Sequence, residues 1–140
     1  MKVRSPFVLA TGVLGALLFT ACGSSSGNGV TTSPSPSPQP KTETFNGTVA
    51  VRGCSSNNFT TSADGEMDVT LTGASPSSTM SVYIGTPVGG TCSAIFGPAL
   101  LSPGSSPVTG NATAGTYCVN VCDSGAQTGT VSYTVTVQHQ

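Results

Sequence analysis

The chain has 140 residues, room for one domain of ordinary size, and carries four Lys plus Arg against five Asp plus Glu, one His and five Cys, for a formal net charge of −1 at pH 7. So few cations cannot neutralise a run of phosphates, which excludes nucleic acid as an expected partner. The acids and bases that most catalysis needs are equally scarce.

In chain order, Lys2 and Arg4 form a short basic start, and Phe7 to Phe19 is an apolar stretch broken by Thr11, Gly12 and Gly15. It is shorter than the roughly 20 apolar residues of a membrane-spanning helix and ends in small residues, so residues 1–21 read as a signal peptide. The segment Leu18-Phe19-Thr20-Ala21-Cys22 resembles the bacterial lipoprotein box, with Phe19 where Leu is usual. That resemblance implies cleavage before Cys22, a diacylglyceryl thioether on its sulfur and a further acyl chain, such as palmitate, on its amine. At about 0.8 kcal/mol per buried CH₂, two or three such chains make a lasting anchor where one is marginal. Gly23 stands where an Asp would resemble an inner-membrane retention signal, so the outer membrane is the expected address if the cell has one. Without Lys2 and Arg4 the mature chain keeps two basic residues against five acids, a net of −3.

Residues 22–42 read as a tether. Ser24 to Thr32 is rich in Gly, Ser, Thr and Asn, and Ser33 to Pro40 alternates Ser with Pro. The first part is expected to be flexible and the second to sample polyproline II at about 3.1 Å per residue.

From Glu43 the apolar period becomes two. Phe45 to Arg52, Met67 to Thr72, Met80 to Ile84, Tyr117 to Cys122 and Val131 to Gln138 each alternate in the manner of half-buried strands. Gly/Ser/Pro/Asn clusters separate them at Gly73 to Ser78, Thr86 to Gly90, Ser102 to Pro107 and Ser124 to Gly129. No window predicts an amphipathic helix. The pattern predicts an all-β fold of two packed antiparallel sheets over residues 43–140. Alternation sends Phe45, Tyr117 and Tyr133 inward and Tyr83 outward, while Phe59 and Phe96 fall in irregular segments.

Five cysteines resolve as one lipidation site plus four that close as two disulfides in an oxidising compartment. Cys118 and Cys122 share a predicted strand and face about 13 Å apart, beyond disulfide reach, so they do not pair with each other. Two connectivities remain. A four-thiolate zinc site is the alternative, and no CxxC spacing favours it.

The segment Ala114-Gly115-Thr116-Tyr117-Cys118-Val119-Asn120-Val121, followed by Tyr133-Thr134-Val135-Thr136-Val137, resembles the closing strands of the bacterial pre-peptidase C-terminal (PPC) domain. Asp64 to Leu71 and Met80 to Ile84 are similar to earlier strands of that family. The resemblance implies a jelly-roll-like β-sandwich that acts as an accessory module without catalytic residues of its own. The Thr91-Cys92 and Thr116-Tyr117-Cys118 motifs further imply Cys92–Cys118, leaving Cys54–Cys122.

Among candidate sites, Asp64, Glu66 and Asp68 place three of the five acids within five residues, on one side of an ideal strand, where Ca²⁺ is a weak candidate ligand. Successive carboxylates there stand about 6.6 Å apart at the backbone, and calcium wants six to eight oxygens, so solubilising a turn is the favoured role. His139, one residue from the last position, is expected in a frayed segment unsuited to a triad. Tyr83 is the one candidate ligand-binding aromatic, and the chain has no Trp. The sequons at Asn46, Asn58 and Asn111 read as chance in a Thr-rich bacterial chain.

The sequence therefore predicts a cell-envelope lipoprotein, anchored to the membrane through Cys22, with a small non-enzymatic β-sandwich that binds an envelope protein or a polymer. No cofactor is expected. A carbohydrate-binding accessory module is the alternative, and calcium-dependent or hydrolytic activity stands third.

Overall fold

The computed structural model describes residues 36–140. The expectations for the signal, the lipoprotein box and Cys22, and for the tether as far as residue 35, lie outside the described residues. Eight strands follow in order: β1 (Lys41–Val49), β2 (Cys54–Thr61), β3 (Gly65–Ser75), β4 (Met80–Val88), β5 (Thr91–Leu101), β6 (Val108–Ala112), β7 (Gly115–Asp123) and β8 (Val131–His139). They form two antiparallel four-stranded sheets in the orders β1-β8-β3-β6 and β2-β7-β4-β5. Two such sheets, each built of every second pair of strands, are the arrangement of a jelly roll.

The core lies between the sheets. Met67, Val69 and Leu71 of β3 and Val135 and Val137 of β8 meet Val82 and Ile84 of β4 and Val119 and Val121 of β7, and all are buried. β-Branched residues at every second position of these inner strands suit a pleated, half-buried surface. Tyr117 and Tyr133 turn inward and Phe45 packs against the core, as the alternation predicts. Burying two sheet faces on each other is what makes period-two patterning sufficient to specify this layer arrangement.

Three strands depart from the predicted set. β2 lacks clear alternation because Ser55 and Asn57 occupy inward positions; Tyr133 reaches between the sheets, donating to Ser55 Oγ at 2.8 Å and accepting from Asn57 Nδ2 at 2.9 Å. β5 contains two irregularities against β4, with Ile95 as an extra residue and Gly97-Pro98 facing Tyr83 alone, so its period is broken. β6 is five residues long. The β4–β5 hairpin turns on Gly89 and Gly90, both at positive φ (57° and 83°), the conformation a two-residue hairpin loop needs and glycine supplies without strain. Phe59 and Phe96, placed in irregular segments by the sequence, lie on β2 and β5; Phe59 is core and Phe96 packs against it.

The end of the chain is not frayed. His139 is 1% exposed, closing β8 against β1 at the Lys41↔His139 pair. Its ring stacks obliquely on Phe59 with centroids 5.3 Å apart. Gln140 O accepts from Thr61 Oγ1 at 2.7 Å and from Ser62 N at 2.9 Å, which ties the last residues of β8 to the end of β2. Proximity to the terminus predicts exposure; these bonds remove it.

Candidate functional site

The outer face of the β1-β8-β3-β6 sheet is a field of hydroxyls and amides. Cross-strand register lines up Thr44, Thr136 and Thr70 in one row and Asn46 with Thr134 in the next. Thr134 Oγ1 donates to Asn46 Oδ1 at 2.7 Å, and Thr72 Oγ1 to Thr134 O at 3.2 Å. A shallow open depression of about 600 Å³ lies here, lined by Asn46, Thr48, Ser75, Ser132 and Thr134 among others.

Glu66 and Asp68 sit on the same outer face, but Asp64 precedes β3 in a bend. Asp64 Oδ1 accepts the Ala114 N–H at 2.9 Å and Asp68 Oδ1 accepts Thr109 Oγ1 at 2.6 Å, so the carboxylates are drawn to different neighbours. The expectation that strand alternation aligns all three is corrected by the bend. Among the described residues no group of three or more His, Cys, Asp or Glu side chains is arranged to hold a metal ion.

At one end of the sandwich Glu43 Oε1 lies 2.6 Å from Lys41 Nζ and 3.1 Å from His139 Nε2. The bond from Lys41 is the main cause holding the Glu43 carboxyl below its ordinary value of 4.5; partial burial opposes it and His139 adds to it. This trio joins the first and last strands of the sheet.

The outer face of the β2-β7-β4-β5 sheet is closed by covalent bonds. Cys54 and Cys122 bridge directly opposed positions of β2 and β7, with Cα atoms 4.0 Å apart and S–S 2.06 Å. Cys92 and Cys118 bridge β5 to β7 with S–S 2.03 Å, passing over β4 at Gly85. A Cβ at Gly85 would meet Ser93 O at 2.1 Å and Cys92 Sγ at 3.0 Å, so the bridge and a side chain there cannot share the space. Both pairs are the ones the family resemblance implies. Tyr83 is half-buried beside this bridge, and its hydroxyl donates to Cys92 O at 3.2 Å and accepts from Asn120 Nδ2. The expectation of an outward, available Tyr83 is thus corrected: it points outward but is spent on holding the bridge.

The four sheet edges are unequal. β1 carries Lys41 and Glu43, β5 is interrupted by its two irregularities and by Pro98, which has no N–H to offer, and β6 is short. Such features are how natural edges resist pairing with further strands. β2, Cys-Ser-Ser-Asn-Asn-Phe-Thr-Thr, has none of them: no charge, no Gly, no Pro, and unbroken register with β7 over all eight residues. The short Cys54–Cys122 Cα distance marks a non-hydrogen-bonded pair, and Asp123 N bonds Gly53 O in the adjacent pair. The N–H and C=O groups of Cys54, Ser56, Asn58 and Thr60 therefore face away from β7, and all four residues are exposed. The sequence reading missed this edge because its two inward polar residues hide the strand.

No family model matches the chain, and no curated protein matches it.

Proposed function

We propose that the chain is a membrane-anchored lipoprotein of the bacterial cell envelope, held through Cys22, whose PPC-like β-sandwich is a non-catalytic module that contacts an envelope protein by accepting an added strand at β2. The observation that carries this reading is the unguarded β2 edge, whose outward backbone groups offer a peptide four residues' worth of main-chain hydrogen bonds. Exposed Ser56, Asn58 and Thr60 flank that ladder with small polar side chains, which suit contact without a deep pocket. The anchor rests on the Leu18 to Cys22 motif and on the even count of cysteines that remains when Cys22 is set aside.

The edge is tested by capture from envelope extracts with Ser35–Gln140, a compact unit with its own core. A bound protein lost on Asn58→Pro supports the reading; equal capture by both forms ends it. Asn58 N–H points away from β7, so proline there leaves the internal ladder whole. The anchor is tested separately by metabolic labelling with a palmitate analogue, expected in the wild type and absent in Cys22→Ala. A second reading, a polysaccharide-binding module, is favoured by the open depression over the other sheet, where Asn46, Thr48, Ser75, Ser132 and Thr134 stand among glycine, alanine and tyrosine surface. Retention on a polysaccharide column that falls with Asn46→Ala and not with Asn58→Pro would select it.

A further inference from the structure

We infer that the strand added at β2 is the β2 of a second copy of this chain, so that two sandwiches join edge to edge about a two-fold axis into a continuous eight-stranded sheet. This deepens the strand-addition reading and rests on it.

Symmetry is the first argument. An antiparallel pair of identical strands with its axis through Asn57 sets Ser56 against Asn58 and Cys54 against Thr60 of the second copy. Those four residues own the outward backbone groups, so donors and acceptors fall opposite one another along the whole strand. Of the side chains opposed across the axis, those of Ser56 and Asn58 and of Cys54 and Thr60 are small, Ser55 meets Phe59, and no like charges meet.

Charge is the second. Beyond residue 40 the chain has two cations, Lys41 and Arg52. Lys41 is paired with Glu43, whereas Arg52 is exposed in the β1–β2 turn and its guanidinium forms no ion pair among the described residues. At the opposite end of β2 stands the bend carrying exposed Asp64, also without an ion pair among the described residues. Antiparallel pairing carries each turn to the other copy's bend, so Arg52 of one copy lies beside Asp64 of the second, twice by symmetry. Val51, 45% exposed in the same turn, gains apolar cover at the same place. Pairing at any of the other edges would not bring these two groups together. A contact of one strand and two turns belongs with weak interfaces burying less than about 1,200 Å². Confinement of anchored copies to one membrane surface suits an association of that strength.

Sedimentation velocity on Ser35–Gln140, from micromolar to millimolar concentration, reads the association directly. The wild type is expected to shift from monomer to dimer, and Asn58→Pro to remain monomeric. Asn58→Lys, which keeps the N–H but places a cation on each side of the axis, is expected to lose association at least about tenfold, and serves if the proline form does not fold. Arg52→Asp alone sets acid against acid and Asp64→Arg alone sets base against base, so each is expected to be monomeric. Their equimolar mixture restores both pairs and is expected to dimerise. A wild type that stays monomeric while Asn58→Pro still loses an envelope protein overturns the second copy as occupant and leaves strand addition standing. Association unchanged in Asn58→Pro and Asn58→Lys overturns β2 as the interface, and an equimolar mixture that stays monomeric overturns the two-fold arrangement.

Discussion

The two sheets of this sandwich are held by different chemistry. The β1-β8-β3-β6 sheet carries Lys41, Glu43, Glu66, Asp68 and His139, and its outer face is linked by hydroxyl, amide and carboxylate hydrogen bonds. The β2-β7-β4-β5 sheet has one charged residue, Asp123 at the very end of β7, and two disulfides across its outer face. From Val69 to Cys122 the sequence contains no Asp, Glu, Lys, Arg or His at all. Charge and covalent bonding thus divide between the layers. The uncharged layer is also the one with the open edge, and the Cys54–Cys122 bridge ties that edge to β7 at its first residue.

The comparison is tested most severely by removing the bridges. Loop-closure entropy predicts a loss of about 4 kcal/mol for Cys54→Ala/Cys122→Ala and about 3.5 kcal/mol for Cys92→Ala/Cys118→Ala, following the sequence separations of 68 and 26. Urea unfolding under non-reducing conditions measures both. A larger loss for the shorter loop would mean that the Cys92–Cys118 bridge acts chiefly on the folded state, by clamping β5 across Gly85.

The next effect lies where the layers meet. Tyr133 belongs to the charged sheet but its hydroxyl serves two side chains of the other, Ser55 and Asn57. Tyr133→Phe leaves both without that partner at half-buried positions and is expected to cost about 1–3 kcal/mol. Chemical denaturation of the variant gives the value, and no loss would mean that these two bonds add nothing to the joining of the sheets. Within the charged sheet the effect shrinks further. Glu43 is held below its ordinary value, so its contribution is present above the unfolded value and is lost as pH falls through the folded one. Glu43→Gln is expected to lower stability by about 1 kcal/mol or less. Melting of both forms across pH is expected to show a difference that is constant above about pH 5 and fades in more acid solution.

This division also explains what could be read from the sequence. β3, β4, β7 and β8 announce themselves because Val, Ile, Leu and Met occupy most of their inward positions. β2 stays hidden because Ser55 and Asn57 are inward yet satisfied by a tyrosine 76 residues or more away, a partner that no local window contains. β5 stays hidden because Ile95 and Gly97-Pro98 each break its period. His139 reads as a tail residue because what holds that end, its pairing with β1 and the bonds from Thr61 and Ser62 to Gln140, comes from distant parts of the chain. The candidate edge is therefore a tertiary feature: its sequence carries no apolar stripe, and its openness depends on which strands the others take as neighbours.

The smallest expected effect on stability concerns the one acid of the disulfide-bonded sheet. Asp123 Oδ2 accepts the Arg52 N–H at 2.7 Å and Oδ1 accepts Gly125 N–H at 2.7 Å. These backbone donors, Arg52 first, hold its carboxyl below the ordinary range. Arg52 sits at φ 59°, a left-handed conformation uncommon for a residue with a side chain, so the bond its N–H donates to Asp123 steadies a turn with little intrinsic preference for its shape. Asp123→Asn keeps the size and one carbonyl acceptor, and because the group is partly exposed only a slight fall in melting temperature is expected, vanishing in acid solution where the aspartate itself is protonated. Its effect on association is expected to exceed its effect on folding. The turn that Asp123 holds is the one that presents Arg52 beyond the end of β2, and sedimentation of Asp123→Asn is expected to show weakened dimerisation at a melting temperature close to wild type. Weakening in proportion to lost stability would instead mark Asp123 as a support of the sheet alone.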